Sequence, residues 1–521
     1  MRLELNAPRS VEPGLAGKDF ASRLFAQDAT LWGPAAEPEA SKRLAWTDLA
    51  LSSRPLVDIV AALRADFHQR GLTRVVLCGM GGSSLAPEVI CAAAGVPLTV
   101  LDSSHPDMVR DALTDRLEES IVVVSSKSGG TVETDSLLRA YVDAFERSGL
   151  KPVDHLVIVT DPGSPFDKDA TAAGYLVIKA DPDVGGRYSA LTAFGLVPSG
   201  LAGADIAALL DGAAAARDEL AVDSPDNAAV RLAAALASAY AAGVDKLVLR
   251  DVSGIGLCDW IEQLVAESTG KGRRGILPVV VPTDQATNFS PTTEDSFLLV
   301  TGATEPPESS SGYSAAIDTD LGAQFVLWEA AVALAGAGIG INPFDQPDVE
   351  SAKQAARTFL TSAGTEVTPP DIQTDGISAY DTSASTLEAA VEALLAKVDP
   401  ERGYIAVQAY LDRLALPAYA ELRELLAERT ERPVTFGWGP RFLHSTGQLH
   451  NGGPATGVFL QLTDDPARDL AVAGRDFTFG QFIAAQAAGD AQVCEAHGRP
   501  LLRLHLSDAS SALPRLVELL S

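Results

Sequence analysis

The sequence predicts an α/β protein built on two doubly wound parallel sheets, with a helical N-terminal arm and a C-terminal extension. Three observations carry this. Between about residues 72 and 200, short apolar runs (RVVLCG, PLTVLD, IVVVSS, HLVIVTD, YLVIKAD) alternate with helical patterns, as in parallel strands covered by helices on both faces. A second alternation follows, with KLVLRD, ILPVVVP, SFLLVTG, YIAVQAY, PVTFGWG and TGVFLQL as its strands. Finally, 521 residues exceed what one hydrophobic core accommodates.

In chain order, residues 1–50 read as the arm, with FASRLFAQD and PEASKRLAWTDL as amphipathic helical pieces. Residues 51–205 form the first α/β domain. Residues 206–368 open the second, beginning with the alanine-rich helices ADIAALLDGAAAARDELA and AVRLAAALASAYAAG. Residues 369–521 are the remainder of the second domain and the extension. Two polar, turn-rich stretches, 306–312 (PPESSSG) and 369–385 (PPDIQTDGISAYDTSAS), read as surface connections. The run 325–341, FVLWEAAVALAGAGIGI, carries Glu329 and several glycines and stops at Asn342-Pro343. It reads as a buried helix rather than a membrane span.

Composition narrows the function classes. A content of 46% hydrophobic and 21% charged residues describes a globular protein. A net charge of −29 argues against nucleic acid or an anionic membrane as partner. An anionic ligand must therefore be attracted locally, by Lys and Arg in its site. The four cysteines (Cys78, Cys91, Cys258, Cys494) are scattered without metal-ligand spacing. MRLELNAPRS carries no secretory leader pattern, so reduced thiols and a cytoplasmic location are expected. Alanine-rich, lysine-poor helices fit a GC-rich bacterial proteome.

Two segments carry the chemistry. In IVVVSSKSGGTVET (residues 121–134) a β-branched strand runs through Ser125, Ser126, Ser128, Gly129, Gly130 and Thr131 into a helix opened by Glu133 and Thr134. Hydroxyls, free backbone N–H groups and the positive end of a helix dipole converge in such a turn and favour phosphate. Capping alone would also explain one or two of these residues, but not six in seven positions. TRVVLCGMGGSSLAPEVI (residues 73–90) has the same design, with Gly79, Gly81 and Gly82 before Ser83 and Ser84. A dinucleotide fold would want an acidic residue after the next strand, and Asp102 is a formal candidate. Two adjacent phosphate-like turns suit one small phosphorylated ligand better.

GMGGSSLAP, SSKSGGTVET, GGRYSALTAFGL, EQLVAESTGKG and INPFDQPDVESAK together resemble, in order, the signature segments of the glucose-6-phosphate isomerase family and its sugar-isomerase (SIS) domains. The final third, particularly RFLHSTGQLHNGGP, is most similar to the isomerase half of bacterial transaldolase–isomerase fusions. With no transaldolase-sized segment ahead of it, the isomerase alone is expected. The resemblance implies interconversion of glucose 6-phosphate and fructose 6-phosphate through a cis-enediol, in glycolysis and gluconeogenesis, without cofactor or metal. Alternatives are a broader isomerase that also takes mannose 6-phosphate, an aminosugar isomerase, and a non-catalytic sugar-phosphate sensor. A sensor would need the phosphate turns but not the catalytic groups.

By this resemblance Glu267 in ESTGK is the general base. It ends a helix whose Trp260, Ile261, Leu264 and Val265 face inward, before a Thr269-Gly270 break. A carboxylate there reaches a cleft while partly shielded from water, as a base must. The family usually shows ESNGK, so Thr269 departs at a non-reacting position. Gln263, four residues earlier on the same face, matches a substrate-contacting glutamine. Arg187 in GGRYSAL is implied to stabilise the enediolate. Gly82, Ser83, Ser126, Lys127, Ser128 and Thr131 are implied to bind phosphate, with Thr134 as a helix-side contact. Gly129 and Gly130 depart from the bulkier family segment. Lys353 matches the family's C-terminal lysine, with Gln346 at the family's spacing before it.

No histidine lies between Glu267 and Lys353, where the family places its ring-opening histidine. His444 and His450 come later, and HSTGQLHNGG resembles the family's HxxxQLxHQG with one residue deleted. On that alignment His444 opens the ring and His450 is a second, substrate-side histidine. The resembled family is commonly dimeric, with the histidine supplied across the interface, so a homodimer is a further expectation.

Overall fold

The structure, a computed structural model, describes residues 1–7, 19–348 and 369–521. The chain opens on a strand, β1 (Arg2–Asn6), rather than on the expected helical arm. Its pattern is too short to announce itself, and its partner lies some 300 residues away. Short helical turns follow, including Phe20–Phe25 and Ala29–Trp32.

The first sheet is the one predicted. Strands β2 (Arg74–Gly79), β3 (Thr99–Leu101), β4 (Ser120–Ser125), β5 (Leu156–Thr160) and β6 (Leu176–Lys179) lie in the order β3-β2-β4-β5-β6, all parallel. Every residue of β2 and β4 is buried, as expected of a sheet covered on both faces. In this fold the order reverses beside β2, and its carboxyl edge is the natural ligand crevice. Both phosphate-like turns leave that edge, one from β2 and one from β4.

The second sheet contains β7 (Lys246–Asp251), β8 (Leu277–Val281), β9 (Ser296–Thr301) and β10 (Ser314–Asp318), in the order β1-β10-β9-β7-β8. β10 was not read from the sequence. β1 runs antiparallel along it, Leu3 opposite Ile317, and closes that edge.

The strands YIAVQAY, PVTFGWG and TGVFLQL do not continue this second sheet. Numbered β13 (Tyr404–Tyr410), β14 (Val434–Trp438) and β15 (Gly457–Asp464), they belong to a third sheet with β11 (Ile372–Thr374), β12 (Ile377–Tyr380) and β16 (Leu501–Leu506). Its order is β11-β12-β16-β15-β13-β14. Periodicity locates strands but not their partners, and β7 already has β8 on one side and β9 on the other. The stretch read as a surface connection at 369–385 is instead the antiparallel hairpin β11–β12. Its Asp375-Gly376 pair has φ of 51° and 74°, the primed two-residue turn that such a dipeptide favours.

The apolar run does form a buried helix, Leu321–Ile339. It is long and apolar enough to cross a membrane, but nearly all of it is covered by protein. It packs against the two alanine-rich helices, Ile206–Leu220 and Ala228–Ala241. At Gly322 a Cβ would fall 2.1 Å from the Leu209 carbonyl oxygen, so the helices touch backbone to backbone. Gly322→Ala must force them apart, and a loss of about 1–3 kcal/mol is expected, to be read from the denaturant midpoint.

Candidate active site

Three turns meet at the centre of the molecule because glycines let them. Gly81 has a φ of 56°, a left-handed conformation that suits glycine. At Gly82 a Cβ would lie 1.9 Å from the carbonyl oxygen of Gly186. The β2 turn is thus pressed onto the Gly186–Tyr188 turn, and Ser189 Oγ donates to the Gly82 carbonyl at 3.2 Å. This contact delivers Arg187.

Arg187 is buried and fully engaged. Its Nη1 donates to Glu267 Oε2 at 3.2 Å and to Gln346 Oε1 at 3.4 Å, and Nε donates to Ser268 Oγ at 3.0 Å. Its Nη2 donates to the Pro343 and Asp345 carbonyls at 2.5 and 3.0 Å. Glu267 lies in the last turn of the Leu257–Thr269 helix, whose other face is core. Its second oxygen accepts from Gln263 Nε2 at 3.2 Å, and that nitrogen also donates to the His444 carbonyl at 2.9 Å. Among the described residues Gln263 Oε1 is buried without a hydrogen-bond partner, an acceptor suited to a substrate hydroxyl. Glu267, Arg187, Gln263, Gln346 and His444, read from four separate segments, therefore converge.

His444 comes from the third sheet of the same chain, in the Arg441–His444 turn after β14. Its Nε2 lies 3.0 Å from Glu133 Oε1. The same oxygen accepts from Gln486 Nε2 at 2.7 Å, and Ser104 Oγ donates to Gln486 Oε1 at 2.5 Å. Glu133 was read only as a helix opener. Its signal was a buried acidic residue beside a row of phosphate-suited hydroxyls, but its partners come from more than 300 residues away.

His450 takes a different place from its expected substrate-side one. It is buried, its Nδ1 is 3.0 Å from the Tyr404 hydroxyl, and its ring stacks on Tyr404 with centroids 5.8 Å apart. Burial, then the nearby Arg499 charge, pushes its pKa down to about 3, so it stays neutral. His444 ends the Arg441–His444 turn, whereas His450 lies on the short helix that follows, Gly447–Gly452.

In the phosphate loop, Ser126 Oγ accepts from the Gly129 N–H at 3.1 Å and Ser128 Oγ from the Gly130 N–H at 3.2 Å. Thr131 stands at the N-cap of the Val132–Arg147 helix without a side-chain capping bond. Thr134 Oγ1 is buried without a partner among the described residues. Gly129 has a φ of 76°, and a Cβ there would sit 2.4 Å from Phe166 Cβ, which accounts for glycine at this position. Lys127 turns away, its Nζ pairing with Asp161 Oδ2 at 2.6 Å. Ser83 is half-buried beside the Gly81–Gly82 turn. Lys353 lies outside the described residues.

Lys271, not singled out from the sequence, adds a cation. Its Nζ donates to the Asp345 carbonyl at 2.5 Å and pairs with Asp345 Oδ1 at 2.8 Å. Burial, then the like charge of Arg187, lowers its pKa to about 8. Arg187 and Lys271 thus tie down the same carbonyl and the Gln346 segment with it.

The fold and this convergence define an α/β protein of the sugar-isomerase (SIS) class. The phosphoglucose isomerase family model matches residues 61–275. A glucose-6-phosphate isomerase of Citrifermentans bemidjiense is 29% identical over 359 residues, covering 56% of this chain and 66% of that protein. One from Thermosynechococcus vestitus is 31% identical over 348 residues, covering 55% and 66%. One from a Synechococcus strain (JA-2-3B'a(2-13)) is 28% identical over 466 residues, covering 76% and 79%. Among solved structures, a hypothetical protein of Thermus thermophilus aligns with a TM-score of 0.57 at 26% identity, covering 69% of this chain and 100% of that one. A glucose-6-phosphate isomerase of Chlamydia trachomatis shares the fold, with a TM-score of 0.52 at 20% identity, over 66% of this chain and 78% of that one. Over residues 61–275 the chain is similar to the phosphoglucose isomerase family. The matched region spans 66% of the length of the Citrifermentans and Thermosynechococcus relatives.

Because His450 pairs with Tyr404 rather than with the cleft, His450→Ala should leave turnover largely intact. Stranding the Tyr404 hydroxyl should cost about 1–3 kcal/mol of stability, measured as a lower unfolding midpoint in a variant with near-normal kcat.

Proposed function

We propose that this chain is a glucose-6-phosphate isomerase, interconverting glucose 6-phosphate and fructose 6-phosphate through a cis-enediol(ate) in glycolysis and gluconeogenesis in the cytoplasm. The observation that carries the reading is the buried Glu267–Arg187 pair at 3.2 Å, with the unpartnered Gln263 acceptor beside it. The chain's similarity to isomerases of that name supports it.

On this reading the phosphate sits at the turns after β2 and β4, held by Gly82, Ser83, Ser126, Ser128 and Thr131, with the Lys127 main chain and Thr134 at the helix start. That anchor sets how far C1 and C2 reach into the cleft. Glu267 takes the proton from C2 and returns it at C1. Arg187 is held beside the carboxylate, so its positive charge stabilises the developing enediolate through space. Gln263 and Gln346 orient the sugar hydroxyls. His444 serves ring opening with Lys353. A Glu133 that accepts from His444 Nε2–H leaves Nδ1 to exchange a proton with the sugar.

The domain boundaries near residues 51, 206 and 369 belong to the same proposal, the last of them introducing the part that carries His444. A homodimer is compatible with this arrangement but is not needed to supply the histidine.

Glu267→Gln should keep the fold and sugar-phosphate affinity but lower turnover by roughly 10²–10⁴-fold. A coupled assay of both directions checks this, and near-normal turnover would remove Glu267 from the mechanism. Ser126→Ala combined with Thr131→Val should chiefly raise KM, at roughly 1.5–3 kcal/mol per lost bond to a charged group. An unchanged KM would place the phosphate elsewhere.

A further inference from the structure

Asp102 follows β3, where a dinucleotide fold would hold its ribose-binding carboxylate. Here that carboxylate is wholly buried and already occupied. Its Oδ1 accepts from Arg413 Nε at 3.0 Å, and its Oδ2 lies 2.9 Å from Arg441 Nη1. The same two guanidiniums reach Glu88: Arg413 Nη1 stands 3.3 Å from Glu88 Oε1, and Arg441 Nη2 pairs with Glu88 Oε2. The result is a closed ring of two carboxylates and two guanidiniums. The acids belong to the first sheet's layer and the arginines to the third. Burial alone would raise the pKa of Glu88, but Arg441 and Arg413 outweigh it and hold it down to about 2. Asp259, on the second layer's helix, also lies within electrostatic reach of Arg441.

The position of Arg441 gives the ring its meaning. It begins the single turn Arg441–His444 that ends in the histidine. The turn is fixed at its far end as well, where the His444 carbonyl accepts from Gln263. A planar guanidinium forked between two carboxylates is a directional anchor, not a diffuse charge contact. An anchor three residues from His444 fixes where the imidazole stands relative to Glu133 and the cleft.

We propose that Asp102 and Glu88 are positioning residues for His444: by clamping Arg441 and Arg413 they hold the histidine-bearing turn of the third sheet against the first, where the sugar ring must open. The proposal rests on the isomerase reading given above. It makes ring opening depend on the clamp, while proton transfer at C1 and C2 depends on Glu267 and does not.

The test uses the full chain carrying Asp102→Asn and two substrates. Glucose 6-phosphate enters as a closed ring. In contrast, 5-deoxyfructose 6-phosphate has no hydroxyl placed to close a ring on C2, so exchange of its C1 protons with deuterated water needs only the base. Turnover of glucose 6-phosphate should fall roughly 10–100-fold while exchange on the open-chain analogue stays within about twofold. The His444 ring resonances, assigned by their loss in His444→Ala, should shift. A parallel fall on both substrates, a fall on neither, or unmoved His444 resonances would overturn the proposal. Should Asp102→Asn fail to fold, Glu88→Gln, at the more exposed rim of the ring, carries the same test with the same outcomes. If the unsubstituted chain neither isomerises nor exchanges, the isomerase reading is what fails, and the His444 resonances alone then decide the clamp.

Discussion

Two layers of this protein meet on the guanidinium of Arg187, and its surroundings keep that charge out of water without leaving it unpaired. Burying an isolated cation is costly, and the cost is offset only when its donors are matched by well-placed acceptors. Each of the guanidinium's three nitrogens is used: a serine, a carboxylate and a glutamine take two of them, and two main-chain carbonyls take the third. Those acceptors come from the Leu257–Thr269 helix and from the Pro343–Gln346 segment. The residue therefore fixes the relative position of both, and Glu267 with them. The close approach of Gly82 to Gly186 completes the constraint from the other side.

Much of this was legible in the sequence because it is local. A strand that ends in serines and glycines and restarts as a helix states its chemistry within about fifteen residues. Glu267, Gln263 and Arg187 are readable in the same way, each inside a short motif. What stayed hidden depends on distant partners. Glu133 looked like an ordinary helix-opening acid, since Gln486 and His444 are invisible from its own segment. Asp102 was only a formal candidate for a nucleotide acid, and its actual partners, Arg413 and Arg441, lie more than 300 residues away. The second alternation of strands read as one sheet and is two, since a strand's pattern does not say which neighbour it will pair with. The β11–β12 hairpin was missed although its Asp-Gly turn was in plain view, within a stretch too polar to suggest strands.

The third sheet changes how the site is assembled. It supplies the His444 turn to a cleft whose other walls belong to the first two sheets. A second set of buried charges secures it to the second sheet, where Arg432 Nη2 pairs with Asp295 Oδ2 at 2.7 Å and Lys246 Nζ lies 2.9 Å from the same oxygen. Paired buried charges of this kind are poor sources of net stability but strong specifiers of register. An apolar interface of equal area would tolerate sliding by a fraction of a side chain. A ring of ion pairs does not, and on the proposed reading an imidazole working on one ring oxygen cannot use a sliding support.

The pairing of β1 with β10 has a consequence for how the protein is made. Leu3 lies opposite Ile317, so β1 waits during synthesis for a partner made more than 300 residues later. At elongation rates of about 5–20 residues per second, that wait lasts tens of seconds. During it the first sheet, whose strands lie within one stretch of about a hundred residues, has everything it needs to form. The second sheet does not, and its edge stays open until β1 closes it. Synthesis and folding thus run in different orders, and β1, made long before β10, is among the last pieces to find its place.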